Sequence, residues 1–180
     1  MIEKGRCTKR SAKELRNKAM EIRNIISNPT EEINILDVVE NVLPQLLDNY
    51  EYYIVAEDEW QTEDIEALTI SQDGTILLLI PENIYRDANI GMHRARFTIA
   101  HEIGHVLLHG EETFALARQE NERYGEDKTC DPEWQANEFA AEILCPITYI
   151  KDMTIVDIQQ KYGISRSVAT IQKRKSAHAR

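Results

Sequence analysis

The spacing of apolar side chains predicts two helices near the start of the chain. Ser11 and Glu14 form the sequence pattern of a capping box, in which each side chain satisfies a free amide of the first helical turn. Apolar residues then recur every three or four positions, at Leu15, Ala19, Ile22 and Ile26. We expect this helix to end at 28–29, where a proline interrupts it, and a second helix to run over 35–43 and stop near Pro44.

The period then changes, and the next three apolar runs are typical of β-strands. These runs cover residues 50–57, 66–71 and 75–81, and they are rich in β-branched and aromatic residues. A Gln-Asp-Gly sequence at 72–74 separates the last two runs and is typical of a hairpin turn. We therefore expect three antiparallel strands before the next helix.

A long helix is predicted over 92–109, where helical periodicity returns and a glycine follows the last turn. Residues 111–129 are polar, charged and weakly periodic, and we interpret them as a surface excursion near the site. Asp131 and Pro132 then have the residue types of an N-cap and a first helical position. The helix that they begin is closed by Pro146.

Helical patterns also dominate the end of the chain, where Thr154 and Ser165 are typical N-caps of two further helices. The order of elements predicts an α+β fold, with a small three-stranded antiparallel sheet packed with helices. A chain of 180 residues with 42% hydrophobic content suits one compact core. We therefore expect a single domain over 1–180, with an N-terminal helix in 1–30 and a helical extension in 147–180.

The long helix over 92–109 carries a His-Glu-x-x-His motif at His101, Glu102 and His105. Two histidines four residues apart lie on one face of a helix, so both imidazoles can bind one Zn²⁺ ion. Glu102 lies about 100° further around the helix, beside the metal, where it can act as a base toward a zinc-bound water. Gly104 is a poor helix former, and we interpret its missing side chain as room for a close neighbouring helix.

A catalytic zinc site usually has three protein ligands, so the third must come from another element. Glu133 is the preferred third ligand, because it opens the next helix and has Asn137 one turn later to orient a ligand histidine. Glu138 is the alternative on the same helix, where it points in another direction. His109 continues the histidine stripe, and we interpret it as a residue that suits the negative end of the helix. We interpret Cys130 as a packed thiol rather than a ligand.

Composition narrows the class of protein. The apolar runs are too short for a transmembrane helix, and the N-terminus has no apolar leader segment. Three cysteines without close spacing argue against a disulfide framework, so we expect a cytoplasmic protein. A formal net charge of −10 disfavours non-specific binding to nucleic acid, although both ends of the chain are basic.

Two segments resemble the ImmA/IrrE family of bacterial and phage zinc metallopeptidases. The first is Arg96-Phe-Thr-Ile-Ala-His-Glu-Ile-Gly-His105, and the second is Glu133-Trp-Gln-Ala-Asn-Glu-Phe-Ala-Ala-Glu-Ile-Leu-Cys-Pro146. Both halves of the family pattern are present at a suitable separation. Cys145 stands where a methionine usually precedes the proline, and we interpret this difference as a change in packing.

The resemblance implies a zincin-like metallopeptidase of the gluzincin type, with one catalytic zinc ion. The ion would be held by His101, His105 and Glu133, with Glu102 as the catalytic base. The resemblance also implies cleavage of a helix-turn-helix transcriptional repressor, often encoded beside the peptidase on mobile elements or in stress responses. We expect no appended DNA-binding or ligand-sensing domain. The alternative function is a non-proteolytic module, in which zinc stabilises the fold and the protein sequesters its partner.

Three further features of the sequence bear on binding. The basic segment 154–175 resembles a helix-turn-helix, but the overall acidity favours a helix pair that packs on the core over one that binds DNA. An extended substrate can add to an exposed edge strand, for which we prefer the segment 75–80. Tyr149 and Tyr124 are the candidate donors to the oxyanion.

Overall fold

The computed structural model describes residues 8–26, 30–60, 66–110 and 127–178, and within them the fold is α+β. The helices are α1 (Ala12–Ile25), α2 (Ile35–Asp37), α3 (Leu43–Leu46), α4 (Glu82–Asn89), α5 (His93–His109), α6 (Pro132–Leu144), α7 (Ile155–Tyr162) and α8 (Arg166–His178). The strands are β1 (Tyr50–Val55), β2 (Leu68–Gln72) and β3 (Thr75–Pro81). None of the helices in these segments combines the length and the apolar character that crossing a membrane requires.

The three strands form a mixed sheet, so the expectation of three antiparallel strands is wrong. Strand β3 lies in the centre, with β1 parallel on one side and β2 antiparallel on the other. Alternate side chains of β3 are fully buried, at Ile76, Leu78 and Ile80. Residues 56–74 connect β1 to β3 and include β2, and this stretch is long enough for the crossover that a parallel pair needs.

The central position of β3 also changes which strand a substrate can reach. Both sides of the segment 75–80 are paired, so the preference for it as an exposed edge is wrong. The edges of the sheet, within the part of the chain that the structure describes, are β1 and β2. Of the two, β2 lies beside the long helix α5, because Thr69 Oγ donates a hydrogen bond to the Glu102 carbonyl at 3.3 Å.

The first helix begins as predicted, and the second is longer than predicted. Ser11 Oγ accepts from the Glu14 amide, and the Glu14 carboxylate accepts from the Ser11 amide. Helix α2 continues through a π-helical segment, Val38–Val42, into α3 and ends at Leu46. Pro44 does not stop it, because this residue lies in the first turn of α3, where the missing N–H is tolerated. The expected break at 28–29 lies outside the described residues.

Helices α5 and α6 form the centre of the helical layer, and α1 packs against the other side of α6. The buried side chains of α5 include Ile99, Ala100 and Ile103. Helix α6 begins as predicted, since the Asp131 carboxylate accepts a hydrogen bond from the Glu133 amide at 3.0 Å and a proline follows the cap. This start fixes the first turn of α6 beside α5.

The last two helices form a pair around a left-handed residue, as the caps predicted. Gly163 has φ +57°, and Thr154 and Asp157 form the capping box of α7. Two basic side chains of α8 contact the protein itself: Lys175 Nζ pairs with the Glu138 carboxylate at 2.8 Å, and Lys173 Nζ donates to the Lys151 carbonyl at 2.6 Å. These contacts agree with a helix pair that packs on the core.

Two buried arginines connect segments that are distant in sequence. Both guanidinium groups donate to backbone carbonyls: Arg23 to those of Ile143 and Glu31, and Arg96 to those of Ile33, Tyr162 and Gly163. Arg96 also forms an ion pair with Glu32. Burial lowers the pKa of each guanidinium, but the carbonyl groups around it satisfy its donors. Arg23 of α1 therefore connects residue 31 to the end of α6, and Arg96 connects residues 32 and 33 to α5.

Candidate metal centre

Two histidines lie on adjacent turns of α5 and point toward the same place. The Nε2 atoms of His101 and His105 are 3.0 Å apart, and their ring centroids are 4.7 Å apart. Both side chains are largely buried, with 12% and 9% of their surfaces exposed. The four-residue spacing in the sequence therefore produces a pair of convergent imidazoles, because successive turns of a helix place these positions one above the other.

The first turn of α6 adds a carboxylate to this pair. Glu133 Oε2 lies 3.3 Å from His101 Nε2, and Glu133 Oε1 lies 3.3 Å from His105 Nε2. Ligand atoms of these three residues all lie within 4.8 Å of one another, and no second such group occurs in the described segments. The structure thus brings together the three residues that the motif and the resemblance singled out.

The absence of a side chain at Gly104 lets α6 come this close. A Cβ atom at this position would lie 3.1 Å from the Cα atom of Ala136 and 3.3 Å from its carbonyl oxygen. Carbon atoms in ordinary contact are about 3.5–4.0 Å apart. Ala136 lies one turn after Glu133 on α6, so the close approach at Gly104 also sets how near the carboxylate comes to the histidines.

Asn137 orients the first histidine. Its Oδ1 atom lies 3.1 Å from His101 Nδ1, and an amide oxygen can only accept, so Nδ1 carries the proton. In the neutral ring, Nε2 then has a lone pair that faces the Glu133 carboxylate and the other imidazole. Several electron-pair donors directed at one point are satisfied when a cation lies between them.

Without a cation, a proton on one of the imidazole rings would also satisfy the Glu133 carboxylate. The pKa values of His101 and Glu133 are shifted in the directions that favour such a proton. Burial lowers the pKa of the His101 ring, but the hydrogen bond with Glu133 and the charges of Glu102 and Glu133 outweigh it, so this pKa is raised. Hydrogen bonds with His101 and His105 hold the pKa of the Glu133 carboxyl well below its usual range. The carboxylate therefore stays ionised, and the site attracts positive charge.

Glu102 lies next to the three convergent residues without being one of them. Only 3% of its surface is exposed, and its negative charge contributes to the raised pKa of His101. Its backbone carbonyl accepts from Thr69 Oγ on β2. A buried carboxylate beside a metal centre is placed to accept a proton from a water molecule that attacks there.

The donor set and its dimensions fit a zinc ion. Two imidazole nitrogens and one carboxylate oxygen are common zinc ligands, at bond lengths of about 2.0–2.2 Å. A tetrahedron with such bonds has edges of about 3.3 Å. The observed separations come close to this length: the two Nε2 atoms are 3.0 Å apart, and each lies 3.3 Å from a different oxygen of the Glu133 carboxylate. Among the described residues, these three therefore fit a zinc site with three protein ligands.

The other candidate residues lie apart from this group. Glu138, the alternative third ligand, is paired with Lys175 on α8. Cys130 is in a 3₁₀ turn before α6 and does not belong to the convergent group. Tyr149 follows the far end of α6, whose length from Glu133 to that end is about 16 Å. Tyr124 lies outside the described residues.

Sequence reasoning did not find the contribution of β2. Thr69, Ile70 and Ser71 of this strand line a small cavity together with His105 and His109. The alternation of apolar and polar residues predicts a strand at this position, but it cannot say which strand comes to lie against α5. The position of the β2 side chains next to the site can be predicted only when the order of the strands in the sheet is known.

Comparison with known proteins bears on the family of this chain. No curated protein matches the chain in a comparison of sequences. The model of a family, the IrrE N-terminal-like domain of Peptidase_M78, matches residues 62–172. This range includes the whole of α5 and α6 and therefore every residue of the metal centre described above. Since the match covers more than half of the sequence, it confirms the family that the two motifs indicated: the chain belongs to the IrrE N-terminal-like Peptidase_M78 family.

Proposed function

We propose that this protein is a zinc-dependent endopeptidase. The observation that carries the proposal is the convergence of His101 Nε2, His105 Nε2 and the Glu133 carboxylate within a triangle of zinc-site dimensions. Membership of a peptidase family supports the same activity. The buried Glu102 beside this triangle supplies the additional carboxylate that peptide hydrolysis needs.

Each residue of the centre has a role in this proposal. His101, His105 and Glu133 would hold the ion. Asn137 keeps the proton of His101 on Nδ1, so that the lone pair of Nε2 is available to the metal. A zinc ion held there would supply Lewis-acid chemistry toward the scissile carbonyl and the nucleophilic water. The Glu102 carboxylate accepts a proton from the attacking water and transfers it to the nitrogen of the leaving amine.

The sheet offers a way to position an extended substrate. We propose that the substrate adds to the outer edge of β2, since this strand is an edge among the described elements and contacts α5 through Thr69 and the Glu102 carbonyl. Backbone hydrogen bonds with an edge strand give affinity that depends little on sequence. The scissile bond would then lie along α5, near the metal centre.

We propose a helix-turn-helix repressor, encoded beside the peptidase, as the substrate. The resemblance to ImmA/IrrE peptidases supports this substrate class, and the net charge of −10 favours a protein partner over nucleic acid. Regulatory proteins of this kind act in the cytoplasm, which is where we place the reaction.

The decisive experiment compares two carboxylate variants. The purified protein is loaded with zinc, its metal content is measured, and it is incubated with the repressor with and without a chelator. Glu102→Gln should abolish cleavage and retain zinc and repressor binding, because this residue moves a proton and holds no metal. Glu138→Gln is the matched control: this carboxylate pairs with Lys175, so both zinc content and cleavage should persist.

The same variants separate proteolysis from sequestration. If Glu102→Gln relieves repression in cells as well as the wild type does, the protein acts by sequestering its partner. If the zinc-loaded wild type produces no fragment of the repressor with or without chelator, the proposed substrate is wrong. If the wild type binds no zinc under metal-replete conditions, the proposed enzyme class is wrong.

A further inference from the structure

The two histidines of the metal centre differ in how their second ring nitrogens are satisfied. His101 Nδ1 lies 3.1 Å from Asn137 Oδ1. His105 Nδ1 is fully buried, and no hydrogen-bond partner for it is found in the part of the chain that the structure describes. A histidine that binds a metal nearly always donates its other N–H to a carboxylate, a carbonyl or a water molecule. His105 therefore needs a partner that none of the described protein groups supplies directly.

A small cavity lies beside His105. It has a volume of about 20 Å³, and its walls include His105, His109, Thr69 and Ser71. A buried water needs roughly 10–15 Å³ of such space and two to four polar groups around it. Two hydroxyl groups and two imidazole rings meet the second condition. The cavity thus has the size and the lining of a site for one ordered water.

His109 is the other histidine at this cavity. It is the last residue of α5, only 4% of its surface is exposed, and its ring centroid lies 5.5 Å from that of His105. The planes of the two rings are tilted by 49° to one another, and the cavity lies against both rings. The burial of His109 is more than a position at a helix end requires, because the interaction with the helix dipole is available to an exposed side chain.

We propose that His109 positions His105 through one water molecule in this cavity, an inference that rests on the proposed metal centre. The water accepts a hydrogen bond from His105 Nδ1–H and donates one to a ring nitrogen of His109. Its second proton is directed to the hydroxyl oxygen of Ser71. This arrangement fixes the proton of His105 on Nδ1 and leaves the Nε2 lone pair directed at Glu133. His109 is therefore a positioning residue and touches neither metal nor substrate.

Zinc affinity tests the proposal. Competition with a chromophoric chelator should show that His109→Leu binds zinc about 10–100-fold more weakly than the wild type. His109→Gln, which keeps a polar group at the cavity, should remain within about threefold of the wild type. His93→Leu is the matched control, because His93 lies at the exposed start of the same helix, and its affinity should be unchanged.

A spectroscopic measurement separates positioning from packing. In ¹⁵N-labelled, zinc-loaded protein, the His105 Nδ1–H proton should be protected from solvent exchange in the wild type and in His109→Gln, and should exchange rapidly in His109→Leu. Ser71→Ala is a smaller change at the same cavity, and it should accelerate this exchange even if His109→Leu does not fold.

The possible failures are distinguishable. If the wild type binds zinc and His109→Leu binds it equally well with the same protected proton, the proposed role of His109 is wrong. It is also wrong if His109→Gln and His109→Leu weaken zinc binding equally, since packing alone then accounts for the effect. A wild type that binds no zinc overturns the proposed function itself.

Discussion

Replacing Gly104 by alanine tests the close contact between the two helices that build the metal centre. In an isolated helix this change is favourable, because alanine is a better helix former by about 1 kcal/mol. In this protein the new methyl group would lie 3.1 Å from the Cα atom of Ala136. The two effects on stability have opposite signs, so the direction of the result is informative.

The geometry gives the expected magnitude. An ordinary carbon–carbon contact of at least about 3.5 Å requires α6 to move by about 0.4 Å at Ala136. Overpacking of this kind costs about 1–3 kcal/mol, and the gain in helix propensity offsets about 1 kcal/mol of it. We expect a net loss of about 1 kcal/mol, which for a chain of this length lowers Tm by about 2–4 °C.

The same displacement should weaken the metal site more than it weakens the fold. Glu133 lies one turn before Ala136, and a shift of about 0.4 Å exceeds the roughly 0.2 Å tolerance of ligand distances. We expect Gly104→Ala to reduce zinc affinity about tenfold, in the range found when the surroundings of ligands are altered. Circular dichroism of the metal-free protein measures the first effect, and competition with a chelator measures the second.

A background substitution provides the control. Ala136→Gly keeps the Cα and carbonyl atoms that the new methyl group would meet, so the cost of Gly104→Ala should be the same in that background. Relief of the cost there would show that the Ala136 side chain, and not the backbone, makes the contact. A rise in Tm of 2–4 °C with unchanged zinc affinity would refute the reasoning altogether, because helix propensity alone would then describe the site.

Three other variants test groups buried away from the metal centre. Arg96→Met leaves buried carbonyls without their donor, and urea denaturation should show a loss of about 3 kcal/mol in the free energy of unfolding. Burial raises the pKa of the Cys145 thiol to about 12, so mass spectrometry of a Cys7→Ser, Cys130→Ser variant should detect alkylation by iodoacetamide only after unfolding. Burial also raises the pKa of Glu142, so the folded state binds this proton more tightly and the stability of the wild type falls as pH rises through that pKa. Glu142→Gln should therefore gain stability relative to the wild type as the pH rises above the ordinary pKa of glutamate and through the raised one. Urea titrations at several pH values measure this gain, and a difference independent of pH would contradict it.

Local signals predicted the helices that carry the metal centre. The capping pattern at Asp131 and the periodicity over 92–109 fixed where α6 and α5 begin, to within one residue of the structure. These signals work because a cap or a helical face is decided by residues close together in sequence. The choice between Glu133 and Glu138 was different, since it depends on the rotation of α6 relative to α5, which no local pattern contains.

Other features depended on distant contacts and were missed or misjudged. The parallel pairing of β1 with β3 comes from a crossover, and a strand pattern does not record its direction. The second helix continues past Pro44 to Leu46, although a proline is typical of a helix end. Helix α4 begins directly after Pro81, which is also the last residue of strand β3. In each case tertiary packing decided between two local structures that the sequence allows.

The extent of the domain stays a prediction, but the packing of α1 bears on it. The family match begins at residue 62, whereas Leu15, Ala19 and Ile22 of α1 are buried and this helix packs against α6. The arginine near the end of α1 reaches the carbonyl of Ile143, in the last turn of α6. Boundaries of sequence similarity and boundaries of the folded unit therefore differ in this chain.

The packing of α1 against α6 limits how far the chain can be shortened from its N-terminus. A fragment trimmed to 62–172 would lack helix α1 and would therefore expose the face of α6 against which α1 packs. It would also leave the Ile143 carbonyl in the last turn of α6 without its donor Arg23. Such a fragment should aggregate or lose metal even though it contains every ligand. We therefore expect the smallest stably folded unit to include helix α1 and its N-cap Ser11, well upstream of residue 62, where the family match begins.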